Sequence, residues 1–129
     1  MSVLTMAPTL GDLLKFECHP GYCRETVTMK AGIAYPLGAV LGRITASGEY
    51  RLSPAAGVVG DEGVEIAVAV LLQSVDATDG AAVGLIAARG PVILAEAALA
   101  FDASVDQPAE RAAKITQLAA AGLVARTTV

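Results

Sequence analysis

The chain has 129 residues, 54% hydrophobic and only 4% aromatic with no tryptophan, which suits one domain built on an aliphatic, alanine-rich core. Its mean hydropathy is +0.58, yet no uninterrupted apolar run approaches the roughly 18–20 residues of a spanning helix. The net charge of −4 is concentrated after residue 51, where Arg89, Arg111, Lys114 and Arg126 are the only bases; with no Lys/Arg cluster, nucleic acid and anionic membranes are excluded as partners.

Residues 1–14 are apolar with little periodicity: Val3, Leu4, Met6, Pro8, Leu10, Leu13 and Leu14. Pro8 and Gly11 discourage a continuous helix, and the absence of a basic start argues against a secretory leader, so synthesis in a reducing cytoplasm is expected. Such a segment is either frayed or bound to something. The chain therefore divides into an extended arm over residues 1–14 and a single β-rich domain over 15–129.

His19-Pro20-Gly21-Tyr22 reads as a type II turn. Alternation of polar and apolar residues predicts a strand over 24–29, and short glycine-bounded strands follow over 39–44 and around Tyr50, before a Gly/Ala/Pro-rich loop over 53–63. The strongest pattern lies over 64–72. Val64, Ile66, Val68, Val70 and Leu72 alternate with Glu65, Ala67, Ala69 and Leu71, which predicts a central strand with a buried face and a second face covered closely. A polar turn over 75–80 leads to a strand over 82–88, and Arg89-Gly90-Pro91 separates it from Val92-Ile93-Leu94. Residues 95–101 fit either a short helix or a strand. One helix is well marked, over 108–121, with Asp106 as N-cap, Pro108 in the first turn, Gly122 after the last, and an apolar stripe of Ala112, Ile115, Leu118, Ala119 and Leu123.

Chemistry is sparse. Cys18, His19 and Cys23 supply three potential zinc ligands but no fourth; the two thiols also fit a hairpin disulfide, or simply two small apolar side chains. Gly57-Val58-Val59-Gly60 lacks the Lys-Ser/Thr of a phosphate loop, and Asp76 with Asp79 is ordinary turn composition. One histidine and scattered serines do not make a nucleophile, base and oxyanion donor. No catalytic, metal or cofactor site is expected, and the chain is not read as an enzyme.

Three stretches, in order, resemble the head decoration proteins of tailed bacteriophages, the family of the phage lambda capsid-stabilising protein. Tyr22-Cys23-Arg24-Glu25 with Thr26-Val27-Thr28 is similar to the family's Tyr-Ser-Arg-acid opening to a strand, with Cys23 where the family usually has serine. Leu37-Gly38-Ala39-Val40-Leu41-Gly42-Arg43-Ile44 resembles its Leu-Gly-x-Val-Leu-Gly segment. Ala69-Val70-Leu71-Leu72 leading to Val75-Asp76-Ala77, and Leu118-Ala119-Ala120-Ala121-Gly122-Leu123-Val124, resemble its later core and closing helix. The likeness runs from about residue 9 to the C-terminus.

The resemblance implies a mainly β fold, a β-clip-like small barrel with a C-terminal α-helix and an extended N-terminal arm. It further implies homotrimers on the outside of the virion capsid, with the major capsid protein as partner. Thr5, Pro8, Leu10, Leu13 and Leu14 are the expected capsid-binding residues of the arm. The rival readings are a trimeric β-clip enzyme and a small-molecule-binding module with a site between subunits. Turnover by the trimer would mark the first, and an apolar pocket protecting a bound molecule the second.

Overall fold

The computed structural model describes residues 9–127. In chain order they form a helical turn α1 (Leu10–Leu13), strand β1 (Leu14–Glu17), a second helical turn α2 (Pro20–Cys23), β2 (Arg24–Met29), β3 (Ala34–Tyr35), β4 (Val40–Arg43), β5 (Tyr50–Leu52), β6 (Ala67–Leu71), β7 (Val75–Asp76), β8 (Ala82–Ala87), β9 (Val92–Ala95), a 3-10 turn (Glu96–Ala98), helix α3 (Pro108–Ala120) and β10 (Leu123–Arg126).

Five strands close into a barrel in the order β2-β5-β4-β6-β8. The longest seam is antiparallel β2–β8, from Arg24 opposite Ala87 to Met29 opposite Ala82, and the closing contact is the parallel pairing of Met29 with Tyr50. A five-stranded barrel has a narrow interior, which is why alanines belong there. Ala39, Ala69 and Ala77 share it with Met29, Tyr35, Leu41, Leu71 and Ile86. The Tyr35 hydroxyl donates to the Lys30 carbonyl at 2.7 Å, and burial pushes its pKa up to about 12.

A second core lies between the barrel and the open sheet β1-β9-β10, with α3 packed over it. Leu13, Cys23, Val40, Val70, Leu72, Val92, Leu94, Leu118 and Leu123 meet there. Strand β6 therefore serves both cores: Ala69 and Leu71 face the barrel interior, Val70 and Leu72 the second cluster. Both faces of the central strand are covered, as its alternation of large and small residues predicts.

The mainly β class, the small barrel and the C-terminal helix agree with expectation, and strand 24–29 matches residue for residue. Several details differ. The central strand starts at Ala67 rather than Val64, and Ile66 is half exposed. The reason is tertiary: residues 61–66 run as turns, and side chains take the place of a neighbouring strand. Ser53 Oγ donates to the Val64 carbonyl at 2.6 Å, Lys114 Nζ to the Glu65 carbonyl at 2.5 Å, and the Ala67 amide donates to Gln117 Oε1 at 2.8 Å. Instead of a type II turn, His19 caps the helical turn α2, its Nδ1 accepting the Gly21 amide at 3.0 Å.

The N-cap of α3 is Gln107, not Asp106, and the Gln107 amide donates to Glu110 at 3.2 Å. Ala112 and Ala119 are exposed, so the helix buries Lys114 and Leu118 instead of the full expected stripe. Leu123 belongs to β10, which runs parallel to β9. Parallel neighbours need a long crossover, and the segment containing α3 supplies it.

Lys114 is 2% exposed, with its amine on Ser53 Oγ at 2.9 Å and the Glu65 carbonyl. Desolvation holds its pKa below the usual lysine value, against the opposing pull of Glu65, Asp102 and Glu110. Between that lowered value and the ordinary 10.5, the unfolded chain binds more protons than the folded one. Stability therefore rises with pH across that window. Tyr35 acts oppositely, since the unfolded phenol ionises near 10 and the folded one near 12. Chemical denaturation of the wild type and of Lys114→Met over alkaline pH separates them. The wild type should gain stability relative to the variant as pH approaches 10.5 from below, and a constant difference would contradict the desolvated amine.

Candidate decoration site

The N-terminal end of the described chain is anchored by a local hydrogen-bond set. The Thr9 amide donates to Asp12 Oδ2 at 2.8 Å, the Thr9 hydroxyl to the same oxygen at 3.2 Å, and the Asp12 amide returns to the Thr9 carbonyl at 3.0 Å. These bonds hold the Asp12 carboxyl below its usual range, the backbone amide contributing most. Lys15 Nζ reaches back to the Gly11 carbonyl at 2.8 Å. The chain thus enters the body through a fixed turn.

Of the five expected arm residues, Thr5 and Pro8 lie outside the described residues. The other three belong to the body. Leu10 opens α1 and packs against the second core, Leu13 is 0% exposed within it, and Leu14 starts β1 opposite Leu94. The boundary expected at residue 14 thus falls within packed elements of the structure, α1 and the start of β1, and Leu13 is enclosed in the second core. Thr9 and Asp12 close a helical turn despite Gly11, and that turn directs Leu13 toward the cluster formed by Leu94, Leu118 and Leu123.

Strand β1 is one edge of the open sheet and β10 the other. Phe16 and Val124 both pair with Ile93, placing the three in one row across the sheet, and Phe16 and Val124 are exposed. Nearby, Arg24 clamps Glu17 with two bonds of 3.0 and 2.5 Å, and Arg89 lies 5.3 Å from the Tyr22 ring centre while bonding Glu25 and the Tyr22 carbonyl.

The surface also holds concavities. A cleft of about 590 Å³ between the 3-10 turn and α3 is lined by Phe101, Val105 and Ile115 together with Glu96, Asp102, Asp106 and Arg111. Two of its charged groups have local partners: Asp102 accepts from Ser104 Oγ at 2.6 Å, and Arg111 stacks over Phe101 at 5.7 Å. A smaller cleft of about 350 Å³ is walled by Leu10, Leu37, Leu72 and Leu85, with Gln73 and Ser74 at its rim. Sequence reasoning missed this second cleft. Its walls come from four separate segments, and only Leu72 carries a periodicity signal.

The candidate chemistry does not assemble among the described residues. Cys18 is exposed, Cys23 is buried and both are free thiols, because the helical turn between them sends one outward and the other into the core. No three His, Cys, Asp or Glu side chains gather as a metal site among the described residues. Asp76 caps its own turn through Thr78, whose amide and hydroxyl it accepts at 3.1 and 2.5 Å. No helix of the described residues is long and apolar enough to cross a membrane.

No curated protein matches the chain. The family model for the bacteriophage lambda head decoration protein D matches residues 3–123, starting before the turn at Thr9 and ending at the first residue of β10. The match covers the barrel, the open sheet's first two strands and all of α3, and by it this chain belongs to the phage lambda head decoration protein D family.

Proposed function

We propose that the chain binds the outside of the expanded phage head as homotrimers and stabilises the shell against internal DNA pressure by clamping neighbouring copies of the major capsid protein. The observation that carries this reading is the family match over residues 3–123. The chain acts by binding alone, is made in the host cytoplasm and functions on the virion exterior. Residues 1–8 are the capsid contact, with Thr5 and Pro8 beside Val3, Leu4 and Met6. They carry no charged side chain, so burying their side chains against a capsid surface desolvates no side-chain charge. Eight extended residues reach at most about 26–29 Å. Strand addition to a capsid sheet edge is the mode that suits such a segment.

The test is co-sedimentation with expanded, undecorated heads. Saturable recovery with the heads, and heads that then withstand heating that ruptures bare ones, is the expected result. Protein left in the supernatant at micromolar concentration would overturn the reading.

A further inference from the structure

Val59 is 98% exposed, yet the turn that carries it is firmly held. The Asp61 amide donates to the Val58 carbonyl at 3.0 Å, and Gly60, at φ +92°, takes the third position that a type II turn reserves for glycine. The Gly60 amide donates to Glu62 Oε1 at 3.2 Å. Asp61 anchors the turn from the body: it is buried, and its carboxylate accepts from Lys30 Nζ at 2.6 Å and Arg51 Nη1 at 3.0 Å. The Thr45 amide fixes the next residue, donating to the Glu62 carbonyl at 2.9 Å. An apolar side chain therefore stands in solvent on backbone that is already ordered. Burying it against a partner costs little further ordering entropy.

The cleft walled by Leu10, Leu37, Leu72 and Leu85 has the complementary shape. An apolar cavity of about 150 Å³ already accommodates benzene, so 350 Å³ takes a valine side chain with part of the turn behind it. Gly60 keeps that turn slim, with open space where a side chain would start. At the rim, Gln73 and Ser74 offer uncharged donors and acceptors to entering peptide groups. Charge favours this cleft over the larger one. Exposed Glu62 sits at the base of the turn and would meet like charge from Glu96, Asp102 and Asp106 in the larger cleft, whereas the leucine cleft has no acid in its lining.

Knob and cleft are kept apart within one copy. The turn hangs from Thr45 and Arg51, beyond the end of β4, while Leu37 precedes β4 and Leu72 follows β6. They lie at opposite ends of the antiparallel β4–β6 pair, and β6 alone spans roughly 16 Å. A contact between two different patches is head-to-tail, and repeated contacts of that kind close a ring when the rotation between copies allows.

We propose that Val59 of one copy docks in the Leu10–Leu37–Leu72–Leu85 cleft of the next, and that three such contacts close the trimer. This rests on the reading that the chain decorates the shell as homotrimers, and names the surfaces that meet.

The test is cross-linking on expanded heads with a short bis-maleimide. The protein carries Val59→Cys and Ser74→Cys, with Cys18→Ser to remove the exposed native thiol. Pelleted protein should run as a covalent trimer on a denaturing gel, and either single cysteine alone should leave monomers. Pelleted protein that stays monomeric, stops at dimers, extends past trimers or links to the capsid protein would overturn the proposal. Protein missing from the pellet is instead a failure of the decoration reading, and cross-linking of the concentrated free protein then decides the contact by the same ladder. Val59→Asp gives a second readout: head recovery should fall at least tenfold, with the circular dichroism and Tm of the free protein unchanged because Val59 packs on nothing in its own chain. Undiminished recovery would equally overturn the proposal.

Discussion

Removing residues 1–8 is expected to abolish decoration of expanded heads while leaving the domain folded, whereas removing residues 1–14 should unfold it. The difference turns on Leu13. It is 0% exposed in the core shared by Val70, Leu94, Leu118 and Leu123, and truncating a leucine so placed costs about 2–5 kcal/mol even when only the side chain is lost. Deletion to residue 14 also takes the first residue of β1 from its place opposite Leu94. Against a total stability of roughly 5–15 kcal/mol, that loss is large. Deletion to residue 8 leaves the Thr9–Asp12 turn and every described element intact.

For binding, an arm with a dissociation constant near 1 mM contributes only about −4 kcal/mol. In the proposed homotrimer three arms would act at high effective concentration, and avidity would then exceed a single arm by roughly 10²–10⁴. The loss should consequently be cooperative, with mixed trimers carrying one intact arm binding far less than a third as well. Circular dichroism and head co-sedimentation on both truncations are the measurements. Undiminished binding without residues 1–8 would move the capsid contact to the body, with the exposed row at Phe16 and Val124 as the first place to look.

Gly42→Ala should be the most damaging small substitution in the barrel. A methyl at this position would lie 2.1 Å from the Val64 carbonyl oxygen and 2.6 Å from its carbon, so backbone rather than a flexible side chain must yield. Gly42 sits where β4 and β6 shift register, between the Leu41–Ala69 and Gly42–Ala67 pairs. The segment it supports is the one whose carbonyls rest on Ser53 and Lys114, so displacing Val64 also strains a buried amine and hydroxyl. Overpacking costs about 1–3 kcal/mol, with backbone clashes toward the upper end, which for a domain of this size lowers Tm by up to roughly 10 °C. Gly80→Ala is the control: nothing lies within 4 Å of its added methyl, and stability should stay within about 0.5 kcal/mol. Thermal melts of the two variants decide it, and equal melting temperatures would mean that the close approach is relieved at little cost.

By itself the sequence determined what local patterning encodes. Strand 24–29 was legible because its polar and apolar residues alternate, the helix from Pro108 because proline and glycine punctuate both ends, and the family likeness because its short motifs occur in order. The covering of both faces of β6 was legible in the size alternation of its residues. Tertiary structure alone decided the rest. The central strand yields at Ile66 because Ser53, Lys114 and Gln117, distant in sequence, satisfy the backbone where a neighbouring strand would. Lys114 is buried on a helix face where charge predicts solvent, its amine held by Ser53 Oγ and the Glu65 carbonyl, both distant in sequence. β10 was hidden because four residues after a glycine carry too little pattern, and their place beside β9 is set by the crossover through α3. Leu13 belongs to the body and not the arm because burial depends on what lies opposite, and Leu94, Leu118 and Leu123 enter the chain about 80 to 110 residues later.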